Sequence, residues 1–281
     1  MTTPQLPMAP MTLDGSAALH QMFRVRWEAW KGCDDACRAQ TLKEAAAWFE
    51  QAGKAPAGSQ SAAFAMLGHK GDLMLVHFRP DFPSLLAAQA EVRKLRLFEY
   101  LEQVNSYVSV VELGLYESTR KMYDDLSARG LEQGTEAWAE AIEETLDRQR
   151  KAMAVRLYPE IPNMRYLCFY PMDKKRGEQR NWYSEGFAAR QKMMQEHGAI
   201  GRKYAGIVKQ VISGSIGYDD WEWGVDLFAG NPLAFKQLVY EMRFDEASAV
   251  YGMFGPFYIA MRLKAEGIAG FMAGEVADAI A

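Results

Sequence analysis

The sequence predicts an α+β protein made of two ferredoxin-like halves, and three observations carry that expectation. Short alternating apolar runs and helical stretches follow one another in the order β-α-β-β-α-β; the same order occurs a second time; and a charged helical stretch separates the two copies. The predicted layout is a flexible tail over 1–17, a first domain without cofactor over 18–116, a helical linker over 117–160 and a second, ligand-binding domain over 161–281.

In the first copy, residues 20–28 (HQMFRVRWE) alternate and are rich in β-formers. The pattern TLKE from Thr41 is a capping box that leads into the helix AAAWFEQAG. Two alternating runs, 61–68 and 72–80, flank His69 and Lys70 with a glycine on either side and read as a hairpin. A helix over 83–101 and a strand over 106–117 complete the unit. The second copy runs as a strand over 164–171, a helix over 184–198, strands over 206–217 and 220–230, a helix over 232–252 and a strand over 256–263. Its long helix has Asn231 as candidate N-cap and Pro232 at the first turn, with Phe235, Leu238, Val239 and Met242 at helical spacing. Between the copies, Thr135 to Met153 places Glu136, Glu140, Glu143 and Glu144 early and Arg148, Arg150 and Lys151 late, an order that suits the helix dipole. An antiparallel sheet with helices on one face leaves its other face to be covered by the sister domain, another subunit or a ligand.

Composition narrows the function classes. The chain is 49% hydrophobic and 24% charged with a net charge of -4, which fits a globular protein and gives no electrostatic footprint for nucleic acid. No apolar run approaches the ~20 residues that cross a bilayer. Three cysteines, Cys33, Cys37 and Cys168, are too few for a disulfide framework, and the expected location is a reducing cytoplasm. Cys33 and Cys37 are given no role, because a metal site needs further thiols or histidines nearby. Phosphate-loop, zinc-finger, serine-elbow and HExxH patterns are absent from the sequence.

What remains is a set of single residues. His20, His69 and His77 lie on or beside the first-copy strands, where surface or half-buried structural roles are the default. His197 is read as ending its helix before Gly198 at C′, so it either meets the helix dipole or serves as the one imidazole that a haem-type iron requires. Alternation along IVKQVISGSI puts Gln210 on an apolar face with Val208, Ile212 and Ile216, opposite Lys209, Ser213 and Ser215. Such a buried amide bonds either to neighbouring backbone or to a ligand held against the sheet. Arg156, Lys174, Arg202 and Arg243, with Ser248, would suit a ligand bearing several carboxylates if the fold brings them together. Tyr170 and Lys174 stand four residues apart where a strand runs into the cationic stretch FYPMDKKRGEQRNWY.

The segments YPMDKKRGEQRNWY, KMMQEHGAIGRKYAGIVKQVISGSIGYDDWEWGVDLF and VYEMRFDEASAVYG resemble the coproheme decarboxylases, the hydrogen peroxide-dependent haem synthases of the chlorite dismutase-like superfamily. The resemblance is near-continuous from 164 to 255 and thinner before that. It implies two ferredoxin-like domains in a dimeric α+β barrel arrangement, a cytoplasmic homopentamer, and iron coproporphyrin III as both substrate and redox cofactor, with haem b as product. Carried onto matching positions, His197 is the axial iron ligand, Tyr170 the redox-active residue that forms a radical, and Lys174 the partner of a propionate. Arg156, Gln210 and Ser248 complete the porphyrin contacts, as do Pro171, Met172 and Asp173 beside the tyrosine, with Arg243 and Arg202 as further neighbours. Hydrogen peroxide is the implied oxidant, and a ferrochelatase the implied transient partner. Gln210 stands where chlorite dismutases carry a distal arginine, which favours the decarboxylase branch. The alternatives are a chlorite dismutase or haem peroxidase and, outside enzymes, a haem carrier or sensor.

Overall fold

The computed structural model of the chain describes residues 9–275, so 1–8 of the expected tail and 276–281 of the expected second domain lie outside the described residues. The first half contains β1 (Thr12–Val25), α1 (Trp27–Gly32), α2 (Asp35–Gly53), β2 (Ser61–Met66), β3 (Leu73–Arg79), α3 (Phe82–Lys94) and β4 (Leu101–Gly114). Three helices follow: α4 (Tyr116–Ala128), α5 (Glu136–Ala152) and α6 (Ala154–Leu157). The second half contains β5 (Tyr166–Lys174), α7 (Phe187–Lys203), β6 (Val208–Gly214), β7 (Trp223–Ala229), α8 (Leu233–Met242), α9 (Glu246–Ala249), β8 (Gly252–Phe254), β9 (Tyr258–Leu263) and α10 (Ile268–Ala273).

All pairings are antiparallel, in the order β7-β6-β4-β1-β3-β2-β9-β5-β8, and β5 also pairs with β7. The ring therefore closes: two four-stranded ferredoxin-like sheets join into one barrel, with β8 added outside it. The seams are short. β4 meets β6 through Val110↔Gly214 and Val111↔Ser213, and β2 meets β9 from Ala63↔Leu263 to Met66↔Ala260.

Closure settles what covers the second face of each sheet. Ala18, Met22, Phe64, Met74, Val76 and Phe78 from the first half and Leu167, Phe169, Val211, Phe228, Tyr258 and Ala260 from the second form a single core inside the barrel. Helices α2, α3 and α10 cover the outside of the first half. The outside of the second half packs Cys168, Tyr170, Val208, Val225 and Leu227 against Ala234, Phe235, Leu238 and Met242 of α8. One polar pair enters the barrel together: His20 Nε2 meets Asp226 Oδ1 at 2.9 Å while the imidazole stacks on Phe169 at 4.1 Å. His20 and His77 are thus fully buried, more deeply than the sequence implied, and burial holds the His77 imidazole down to about 3.

Several expected boundaries move. β1 begins at Thr12, inside the predicted tail, because a bulge between Asp14 and Ala17 hides the alternation while Leu13 packs under α4 and α5. The helix predicted over 83–101 stops at Lys94, where Leu95 turns extended, and β4 starts at Leu101 after a 3-10 turn. The linker is an integral layer: Met122, Tyr123, Trp138 and Leu157 share a core with Leu13. α7 runs on to Lys203, which puts His197 within the helix and removes Gly198 from a C′ position. The long helix of the second copy breaks between α8 and α9, where Asp245 caps the second piece.

Candidate functional site

The break between α8 and α9 is the centre of a cluster on the outside of the second half. Asp245 Oδ1 accepts from Ser248 N at 2.9 Å, the N-cap bond that starts α9. Its other oxygen, Oδ2, lies 3.0 Å from His197 Nδ1 and accepts from Ser248 Oγ at 3.2 Å. A carboxylate only accepts, so the proton sits on Nδ1 and Nε2 is left with its lone pair. The His197 side chain keeps 29% exposure while Asp245 keeps 3%. This is a rigidly oriented imidazole with one free coordinating nitrogen.

Alternation along β5 sends Tyr170, Met172 and Lys174 to the same outer face. Lys174 is the last residue of β5 and is 7% exposed, so it lies on the strand rather than in the cationic stretch that follows. Its Nζ donates to Ala247 O of α9 at 2.8 Å and lies 4.6 Å from the centre of the Trp182 ring. Burial pulls its ammonium down to about 8, against the attraction of Asp245 and Glu222. Tyr170 is 4% exposed, stacks on Phe257 at 4.5 Å and tilts against Phe254 at 5.8 Å; burial pushes its phenol up. Arg243, two residues before Asp245, lays its guanidinium 3.8 Å over the Phe254 ring.

The remaining candidates separate into two groups. Pro171, Met172 and Asp173 lie on β5; Asp173 Oδ1 accepts from Glu222 N at 2.7 Å, Glu222 in turn accepting from Lys174 N at 2.8 Å, so Asp173 is committed to the turn before β7. Gln210 is exposed, not buried as the alternation suggested; the closed barrel buries the opposite face of β6, with Ser213 and Ser215. Its amide faces α7, where a Cβ placed on Gly201, one turn past His197, would sit 3.6 Å from Gln210 Nε2. Arg156 is exposed on α6, which packs on β1 and β4, and has no hydrogen bond to the cluster. Arg202 is exposed on α7 and forms no ion pair among the described residues.

The sequence reading passed over three residues here. Asp245 was hidden inside what read as a continuous helix, although Asp three residues before Ser248 is itself a capping signal. Trp182, buried beneath the Lys174 ammonium, lay in a quoted motif with no role attached. Arg190 lies two turns before His197 on α7 and is 4% exposed, with no ion pair among the described residues. The described residues hold no group of three or more His, Cys, Asp and Glu arranged for a metal ion.

The profile of the chlorite dismutase family matches residues 38–263. The chain belongs to the chlorite dismutase family. Among similar proteins, one from Natronomonas pharaonis, named for an inferred heme-binding role, is 38% identical over 271 residues, 95% of this chain and 42% of that protein. The chain thus spans about two fifths of the length of that curated relative. The solved structure of a heme-binding protein from Thermus thermophilus is 36% identical, with a TM-score of 0.80 over 96% of this chain and 100% of that one. Chlorite dismutase from Candidatus Nitrospira defluvii shares the fold at 18% identity, with a TM-score of 0.67 over 92% of this chain and 96% of its own. Two ferredoxin-like halves in one barrel are therefore the architecture of this family member. No helix among the described residues is long and apolar enough to cross a membrane.

Proposed function

We propose that this chlorite dismutase family member binds an iron porphyrin on the outside of its second half and acts as a coproheme decarboxylase. The reaction converts two propionates of iron coproporphyrin III to vinyl groups, at the expense of hydrogen peroxide, and yields haem b as the last step of a coproporphyrin-dependent haem synthesis. The carrying observation is that one short segment, 243–248, links three of the candidates: Asp245 holds His197, Ala247 O receives Lys174, and Arg243 shares Phe254 with Tyr170.

The donor set fits the ligand. His197 offers a single imidazole nitrogen, the Tyr170, Phe254 and Phe257 rings are flat apolar surfaces with the Arg243 cation over Phe254, and Lys174 is a second cation, beside Trp182. The heme-binding relatives support the ligand class. Bound iron coproporphyrin supplies the redox chemistry that lets peroxide oxidise a protein phenol. Tyr170, kept protonated by burial, is the group that gives up a hydrogen atom and then takes one from a propionate β-carbon. Loss of that hydrogen, one further electron and carbon dioxide makes each vinyl, so one peroxide serves each propionate. Lys174 holds the carboxylate near the phenol and fixes the distance over which hydrogen moves. Gln210 has no titration to offer and forms a hydrogen-bonding wall; its presence in place of an arginine supports the decarboxylase branch over chlorite conversion.

Tyr170→Phe is expected to bind the iron porphyrin with its spectrum unchanged and to make no vinyl product, while the parent chain loses two carboxyl groups stepwise under peroxide, as read by mass spectrometry. A variant that decarboxylates at the parent rate overturns the radical role. Oxygen release from chlorite without vinyl formation selects the other branch, and tight haem binding without turnover selects a carrier. The same proposal includes a cytoplasmic homopentamer supplied by a ferrochelatase, which light scattering and cross-linking test.

A further inference from the structure

A second cluster of reactive side chains lies in the first half, on the α1–α2 turn, and takes no part in the porphyrin site. Cys33 is the C-cap of α1, its N–H donating to Trp30 O at 3.3 Å. Asp34 caps α2, with Oδ1 accepting from Cys37 N at 2.7 Å. That turn sets Cys37 four residues after Cys33, near enough for each thiol to act on the other's ionisation; Cys33 Sγ donates to Asp34 O at 3.5 Å and Tyr100 Oη lies 3.5 Å from Cys37 Sγ. Both cysteines remain partly exposed, whereas Cys168, on β5, is buried.

The two thiols differ. Cys33, and then the hydrogen bond from Tyr100, hold Cys37 below the ordinary thiol value, against burial and the Asp34 carboxylate. Cys33 is pushed up, first by Cys37. Cys37 also stands in the first turn of α2, where the helix dipole favours a thiolate. The Arg38 guanidinium caps the Cys33 carbonyl at 2.5 Å and adds positive charge beside the pair.

We propose that Cys33 and Cys37 are a dithiol oxidised by hydrogen peroxide or a small alkyl hydroperoxide, with Cys37 as the attacking thiol and Cys33 as the resolving one. The Cys37 thiolate attacks one peroxide oxygen; the O–O bond breaks, Cys37 becomes a sulfenic acid, and hydroxide or alkoxide leaves. Cys33 Sγ then attacks the sulfenic sulfur, the S–O bond breaks, and its proton leaves with the hydroxyl as water. The dithiol has lost two electrons and the peroxide has gained them. In a reducing compartment the disulfide is transient and records peroxide exposure.

The test uses the full chain, reduced and without porphyrin, so its outcome is independent of the decarboxylase proposal. Trypsin cleaves after Lys31 and Arg38 and releases both cysteines on one peptide, 32–38. One equivalent of hydrogen peroxide should lower the mass of that peptide by about 2 Da, reversibly with dithiothreitol. Cys33→Ser should accumulate a dimedone-trapped sulfenic acid at Cys37, and Cys37→Ser should leave Cys33 unmodified at the same dose. Sulfenic acid formed on Cys33 at a comparable rate overturns the assignment of roles. Passage of Cys37 to sulfinic acid without the 2 Da loss, or no reaction at either thiol, overturns the site.

Discussion

Asp245 accepts from His197 Nδ1, Ser248 Oγ and Ser248 N, and a carboxylate in that position makes the imidazole a stronger donor to iron. Asp245→Asn keeps the shape and removes the charge; iron-porphyrin affinity should fall about 10–100-fold, with a lower iron–histidine stretching frequency in the resonance Raman spectrum. An unmoved stretch would mean that the charge is not felt at the metal. Lys174 supplies the pH dependence. Its buried ammonium titrates near about 8, so attraction for a propionate is complete below that value and fades as pH rises through it. The sign for stability is separate: the folded chain sheds this proton before the unfolded one does, so stability rises with pH between about 8 and the ordinary lysine value of 10.5. Porphyrin titrations from pH 6.5 to 9.5, taken as about the usable range, should show affinity declining for the parent and a flat profile for Lys174→Met. At this scale Tyr170, Lys174 and His197 were singled out from the sequence because the motifs around them are long. Asp245 was not, because an aspartate inside an apolar-periodic stretch reads as helix surface until the helix is seen to stop.

Elements were legible where one period dominates and obscure where two surfaces compete. The hairpin of β2 and β3 was legible from its glycine-flanked turn, although both of its faces are buried, and α8 from its single apolar stripe. β6 did not: inside a closed barrel both faces are covered over part of the strand, and the small polar Ser213 and Ser215 turn inward while Gln210 turns toward α7. β1 was obscured by its bulge, and that bulge has a packing role. A Cβ on Gly15 would lie 2.0 Å from Leu157 O, so α6 rests directly on the strand backbone. Gly15→Ala is expected to cost about 1–3 kcal/mol or more, measured by urea unfolding. Gly114→Ala, at the open end of β4 where a Cβ meets nothing within 4 Å, should be near neutral. Equal costs at the two sites would show that the α6 approach yields freely.

The two halves repeat one plan but share one interior. Phe64 packs its ring 6.2 Å from Phe228, and His20 of the first half pairs with Asp226 of the second, so neither half encloses its core alone. Heat or urea should therefore unfold the chain in one cooperative transition, with far-ultraviolet circular dichroism and tryptophan fluorescence coincident; two resolved transitions would mean that the halves are independent after all. Repetition of the β-α-β-β-α-β order could be read from the residues, whereas closure could not, because the seam at β4 and β6 rests on only Val110↔Gly214 and Val111↔Ser213. Closure also governs how copies of this chain can meet. Among the described residues β8, from Gly252 to Phe254, is bonded on one flank only, and β4 meets β6 only at Val110 and Val111, so its stretch from Leu101 to Ser109 pairs with β1 alone. The helical surface offers a separate place of contact, with Leu233, Tyr240 and Phe244 exposed, where side-chain fit is open to a point substitution that leaves the barrel closed.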